Sequence, residues 1–177
     1  EKLIETITLS LEAGIGMVQY RCKNSTDIKK FKEAEEICSI CKQFNALFIV
    51  NDRIDIAIAV NADGVHLGQD DLPTSVSRKI IGEEKLIGRS THSKDQIKAA
   101  SNQEIDYIGV GPVSYSKSKK VVKPLNMQSL KEINTLTNLP WFAIGGVNIL
   151  NLKELRSVNV QRIAVIDAIM NSDDPKE

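Results

Sequence analysis

A chain of 177 residues, 42% hydrophobic and 26% charged, is long enough to bury a sizeable core as one domain spanning 1–177. Its 23 Lys and Arg balance 23 Asp and Glu, which argues against a nucleic-acid partner or a membrane-attracting basic face, so any cation cluster is local. No apolar run approaches a membrane span, the first residues do not read as a signal peptide, and an odd count of three cysteines without a small disulfide scaffold points to a reducing, cytoplasmic setting.

The opening segment "EKLIETITLSLEAG" places Leu3, Ile4, Ile7 and Leu11 on one helical face. A strand follows in "MVQYRCKN", where Gln19, Arg21 and Lys23 alternate and would share one face of an extended segment. Such a face is either solvated or turned toward something anionic. The next helix, Ile28 to Phe44, carries Ile28, Phe31, Ala34, Ile37, Cys38 and Cys41 at helical spacing. Its "CSIC" looks like half a metal site, but no second half follows, and buried thiols packing as small hydrophobes are the better reading.

Strand-like runs then alternate with helical ones. "LFIVND" precedes a helix over Asp55 to Val60, "GVHLG" one over Leu72 to Ile81, and "KLIGRS" one over Ser93 to Ala100. "YIGVGPV" leads through the loop "GPVSYSKSKK" to a helix over Met127 to Leu136, "WFAIGG" to one over Ile149 to Val158, and "RIAVIDA" is the last strand. Near-continuous apolar strands separated by helices predict a parallel sheet covered on both faces. Small or polar residues follow almost every strand, which favours an α/β fold of the (β/α)8 TIM-barrel type over an open sheet with one switch point. Seven strands are legible where such a barrel has eight, so the chain is expected to lack the first strand and the last helix of its domain.

Taken singly, the polar clusters have bland readings. Asn51 and Asp52 in "IVNDRID", and Asp70 and Asp71 in "GVHLGQDDLP", could be helix caps. Carboxylates such as Asp52 and Asp71 at the ends of neighbouring strands, however, repel one another unless a cation sits between them. Hard oxygen ligands suit Mg²⁺, which takes one or two carboxylates plus phosphate oxygens. With Arg21 and Lys23 nearby, a diphosphate held by metal and cations is implied. The loop holding Ser116, Lys117, Ser118 and Lys119 is either a solvated loop or a lid whose hydroxyls and lysines meet phosphate. Gly145 and Gly146 after a late strand would let backbone N–H groups approach a phosphate. His66 reads as a core or barrel-lining residue, and nothing near His92 orients it as a base.

These motifs, in this order, resemble the thiamine-phosphate synthase family over essentially the whole chain. The matching stretches are Gln19-x-Arg21-x-Lys23, Asn51-Asp52, "ADGVHLGQDD" with Asp71, "IGRSTHS" with Ser90, "YIGVGPV" and "AIGGVN". The resemblance implies that a pyrimidine methyl diphosphate loses pyrophosphate and is joined to a thiazole phosphate. It implies that Arg21, Lys23, Asn51 and Lys119 hold the diphosphate, and that Gln19 and Ser90 line the pyrimidine side, with Tyr20 and Cys22 on the same strand-end run. Asp52 and Asp71 would bind Mg²⁺. Ser116, Lys117, Ser118, Gly146 and the backbone of Ile166 and Asp167 would hold the thiazole phosphate, and Arg21, Lys23, Ser90 and Lys119 would act on the reacting groups. The implied partners are small molecules, with no nucleic acid and no membrane, and a homo-oligomer is left open. Cys22 stands where the family usually has Glu, Ser116 and Ser118 where it has Thr, and Asp167 where it has Ser or Arg. A carboxylate beside a phosphate is repulsive, so Asp167 is expected to offer its backbone N–H alone. A thiazole tautomerase relative and a catalytically silent phosphate binder are the competing readings.

Overall fold

The computed structural model describes residues 2–115 and 123–176. Two units emerge, one of residues 1–87 with 169–177 and one of residues 88–168.

In the first unit, helix α1 (Lys2–Glu12) turns its apolar face inward, with Ile7 and Leu11 buried. Strand β1 (Met17–Tyr20) leads to α2 (Asp27–Gln43), β2 (Leu47–Asn51), α3 (Ile54–Ala59), β3 (Gly64–Leu67) and α4 (Thr74–Ile81). β1 pairs with β2 and β2 with β3, both in parallel, with Tyr20 opposite Val50 and Asn51 opposite His66. Phe48, Ile49 and Val50 are consecutive and essentially inaccessible, so both faces of β2 are covered, which explains an unbroken apolar run instead of alternation. Gly64 is needed where β3 meets the next segment, because a Cβ there would stand 2.3 Å from the Leu86 carbonyl oxygen. Cys38 and Cys41 are buried on α2, where Cys38 Sγ donates to the Val60 carbonyl at 3.4 Å. Burial, then Cys38 and Asp63, pushes the Cys41 thiol up to about 12, so the pair packs as neutral side chains.

Strand β4 (Leu86–Thr91) begins in the first unit and continues in the second. α5 (Lys94–Ala100), β5 (Tyr107–Val110), α6 (Met127–Lys131), α7 (Ile133–Leu136), β6 (Trp141–Ala143), α8 (Leu152–Ser157) and α9 (Asp167–Met170) follow. β4 pairs with β5 and β5 with β6, again in parallel. Helices thus separate successive strands, as the alternation predicts. Two details differ. The helix expected over Met127 to Leu136 is divided at Glu132, where the backbone bonds close the turn in i→i+3 fashion. The seventh strand, "RIAVIDA", is reduced to one parallel bridge between Ala143 and Ile163. Ile163 and Ile166 are 40% and 61% exposed, so among the described residues nothing covers this run on both faces, as a parallel ladder requires.

Candidate active site

In the first unit, Arg21, Cys22, Lys23, Lys30, Asn51, Asp52 and Arg53 line a cavity of about 310 Å³. β1 ends at Tyr20, so Arg21 and Lys23 lie in the connection to α2 and not on the strand that their alternation suggests. The β1–β2 ladder stops at the Tyr20–Val50 pair, which frees the next residues to reach the cavity. Gln19 is exposed on β1. Tyr20 turns the other way: it is buried, and its hydroxyl donates to Glu33 of α2 at 2.7 Å. Burial, followed by Glu33 and Cys22, raises the Tyr20 phenol far above its ordinary value.

Asn51 closes β2, and Asp52 follows with a φ of +62°. Aspartate tolerates this left-handed conformation better than most residues because its side chain is short and polar. The Asp52 N–H donates to the His66 carbonyl at 2.9 Å, and the Arg53 N–H to the Asn51 carbonyl at 2.7 Å. α3 has Arg53 at its N-cap and α4 has Pro73, and neither helix has a side-chain cap bond. The capping readings of Asn51, Asp52, Asp70 and Asp71 are therefore not what these side chains do. Asp71 Oδ2 accepts the Gly68 N–H at 2.6 Å, and a Cβ at position 68 would crowd that oxygen at 3.1 Å.

The carboxyl groups of Asp52 and Asp71 come within hydrogen-bonding distance of each other. Burial first, then the Asp71 hydrogen bond and charge, push Asp52 up to about 6, against the opposing pull of Arg21 and Lys23. Two facing carboxyls that repel one another in the absence of a cation form a donor set suited to a hard divalent ion. Among the described residues no group of three or more His, Cys, Asp or Glu side chains could hold a metal. A pair fits Mg²⁺, which takes few protein carboxylates and completes its shell with water and phosphate oxygens.

Two residues that the sequence pattern does not single out line the same cavity. Arg53 is forked onto Asp55, with Nε at 2.8 Å and Nη2 at 2.6 Å, and its Nη1 donates to Asp27 at 2.7 Å. Lys30 lies 3.5 Å from the same Asp27 oxygen. Arg53 directly follows the Asn51–Asp52 pair, whereas Lys30 reaches the cavity from α2 and left no local signal.

In the second unit, Ser90 is buried on β4 opposite Gly109. His92 Nδ1 donates to the Gly111 carbonyl at 2.5 Å, so this nitrogen is occupied by the backbone. Gly145 and Gly146 both have positive φ, 78° and 76°. A Cβ at Gly146 would lie 2.6 Å from the Ser114 carbonyl oxygen. The Gly146 carbonyl accepts from the side-chain amides of Asn148 at 3.1 Å and Asn151 at 2.8 Å, which fixes the glycine turn. Ile166 is exposed, and Asp167 opens α9. Ser116, Lys117, Ser118 and Lys119 lie outside the described residues.

Parallel βα units with polar and glycine-rich turns following their strands define an α/β protein of the barrel class. A family model described as thiamine monophosphate synthase matches residues 1–169, and the chain belongs to that family. It is 52% identical over 174 residues to a thiamine-phosphate synthase of Prochlorococcus marinus, an alignment covering 98% of this chain and 50% of that protein. Identity is 54% to the thiamine-phosphate synthase of another strain of that species, MIT 9313, covering 98% and 49%. The chain thus spans about half the length of these relatives. A solved structure, the thiamine phosphate pyrophosphorylase from Pyrococcus furiosus, is 32% identical and superposes with a TM-score of 0.90, covering 98% of this chain and 83% of that one. That likeness bears out the α/β barrel class expected from the strand and helix order.

Proposed function

We propose that the protein containing this chain is a Mg²⁺-dependent transferase that makes thiamine phosphate. It would join 4-amino-2-methyl-5-(diphosphooxymethyl)pyrimidine to a thiazole phosphate and release pyrophosphate. The observation that carries this reading is the Asp52–Asp71 carboxyl pair in the pull of Arg21 and Lys23. A tautomerase acting on a thiazole carboxylate has no diphosphate to hold and leaves that combination idle.

In the reaction the methylene carbon–oxygen bond breaks and its electron pair leaves with pyrophosphate. The thiazole nitrogen supplies a lone pair to form the new carbon–nitrogen bond. Such chemistry needs charge stabilisation on the departing group and a nucleophile held in line, with water excluded. Arg21, Lys23 and Asn51, which share one cavity, would bind the diphosphate oxygens, and Lys119 would add a further charge. Asp52 and Asp71 would hold Mg²⁺, which when bound neutralises developing negative charge on the leaving diphosphate. Gln19 and Ser90 would contact the pyrimidine, with Cys22 alongside, whereas the Tyr20 side chain, given to Glu33 of α2, would brace β1 from its other face and not touch substrate. Ser116, Lys117, Ser118 and Gly146 would hold the thiazole phosphate, with backbone N–H groups at Ile166 and Asp167.

The same reading places the enzyme in the cytoplasm, acting on small molecules. No helix among the described residues is long and apolar enough to cross a membrane. The test is pyrophosphate release by the complete protein, given both substrates with and without Mg²⁺. Release that requires both substrates and the metal, and collapses in Asp52→Ala, is the expected result. Absence of release with both phosphate ligands still bound would overturn the synthase reading in favour of a silent binder.

A further inference from the structure

Lys30 is the fourth residue of the 17-residue helix α2, and local helix physics does not favour a cation there. The amino end of a helix carries partial positive charge, so a lysine in its first turn is mildly destabilising. Lys29, its neighbour, resolves this by staying 66% exposed and pairing with Glu33 at 3.8 Å. Lys30 does the opposite: its side chain is 13% exposed, and it lines the cavity with Arg21, Lys23, Asn51 and Asp52.

Its compensation inside the protein is weak. The Lys30 ammonium lies 3.5 Å from Asp27 Oδ1, while the same oxygen accepts Arg53 Nη1 at 2.7 Å. Arg53 is the main cause that holds the Asp27 carboxyl below its ordinary value, and Lys30 contributes least. An ammonium is a compact, strongly hydrated charge. Withdrawing it from water beside a carboxylate already taken by a guanidinium leaves it short of a counter-charge.

We infer that Lys30 is a catalytic contact to the diphosphate, reaching the leaving group from α2 on arrival of the anion. This rests on the reading of the cavity as the diphosphate site. Lys30 exchanges the long Asp27 contact for a phosphate oxygen, and Asp27 stays satisfied by Arg53. Negative charge on pyrophosphate increases as its bond to carbon breaks, so a fixed cation at this position favours departure as well as binding.

The test is pyrophosphate binding to the complete protein with Mg²⁺, by calorimetry, in native protein and in Lys30→Met, Lys30→Gln, Lys30→Arg, Lys29→Met and Arg21→Ala. Both neutral Lys30 variants should weaken pyrophosphate by at least about tenfold and raise KM for the pyrimidine diphosphate similarly. KM for the thiazole phosphate should stay within about twofold, Lys30→Arg should recover most of the loss, and Lys29→Met should match the native protein. Using two neutral replacements guards against a packing defect in either one. Native-like pyrophosphate binding by both, with Arg21→Ala strongly weakened, would overturn the role of Lys30 and leave the site reading intact. Native-like binding by Arg21→Ala as well would overturn both.

Discussion

The carboxyl groups of Asp52 and Asp71 face each other, one from the residue after β2 and the other held by the Gly68 N–H at 2.6 Å. One consequence is a pH dependence of stability. Asp52 titrates at about 6 in the folded chain against a reference value of 3.8, so between those values the folded state binds more protons than the unfolded state. Stability from this group is therefore present at low pH and lost as pH rises from about 4 through about 6. Asp52→Asn should remove that decline and stabilise the metal-free protein at pH 7 by about 1 kcal/mol, a figure discounted for screening of a partly solvated group. Thermal unfolding from pH 4 to 8 measures it. A native slope that persists unchanged in Asp52→Asn would refute the assignment.

The same pair predicts how a divalent ion behaves. A metal competes with the proton that Asp52 binds below about pH 6, so Mg²⁺ should raise Tm more at pH 7.5 than at pH 5, and binding near pH 6 should release protons into a weak buffer. Asp71→Asn and Asp52→Asn should each abolish the Mg²⁺ response. Calorimetry in buffers of different ionisation enthalpy counts the protons, and a count of zero at pH 6 would remove Asp52 as a ligand.

Gly146 and Gly14 separate backbone conformation from crowding. Both have positive φ, 76° and 95°, but a Cβ meets the Ser114 carbonyl oxygen at 2.6 Å at the first and nothing within 4 Å at the second. Gly14→Ala should cost about 1 kcal/mol, from backbone conformation alone. Gly146→Ala should cost roughly 1–3 kcal/mol more, because backbone must move to clear the clash. Denaturant titration of the two variants gives the difference directly.

The strand and helix order was legible because parallel strands buried on both faces appear as apolar runs, of which "LFIVN" and its fully buried Phe48 and Ile49 are the clearest. The run "RIAVIDA" has the same composition, yet it forms one bridge, because composition records what a strand is suited to and not whether a layer covers it. Alternation of Gln19, Arg21 and Lys23 correctly marked a polar run, but it could not show that β1 stops at Tyr20, since that depends on the β2 register. Asp52 and Asp71 were legible as strand-end carboxylates. Lys30 was not, because its place in the cavity depends on how α2 approaches the β1 and β2 ends, and helical spacing alone makes it one lysine among several.

The cysteines offer a chemical check on the packing of α2. Cys38 and Cys41 are buried and Cys22 is half-buried, and burial keeps the Cys41 thiol protonated at neutral pH. Iodoacetamide should therefore modify Cys22 first in native protein and reach the other two only after unfolding. Mass spectrometry of the labelled peptides reads the order. Rapid labelling of Cys41 in folded protein would contradict the burial of the "CSIC" pair.

Tyr20 tests which side of β1 meets substrate. Its neighbour Gln19 is exposed, whereas its own ring is buried and its hydroxyl is given to Glu33 on α2 at 2.7 Å. Removing that hydroxyl in Tyr20→Phe should cost about 1 kcal/mol, the usual net worth of such a bond. Glu33 keeps some solvent contact, with its side chain 28% exposed, so it is not left as a buried orphan and the loss should not grow beyond that. If the hydroxyl serves only to fasten β1 to α2, kcat and both KM values should stay within about twofold, whereas Gln19→Ala should raise KM for the pyrimidine substrate. A tenfold rise in that KM for Tyr20→Phe, at unchanged stability, would instead place the phenol in the substrate site and require β1 to present its opposite face.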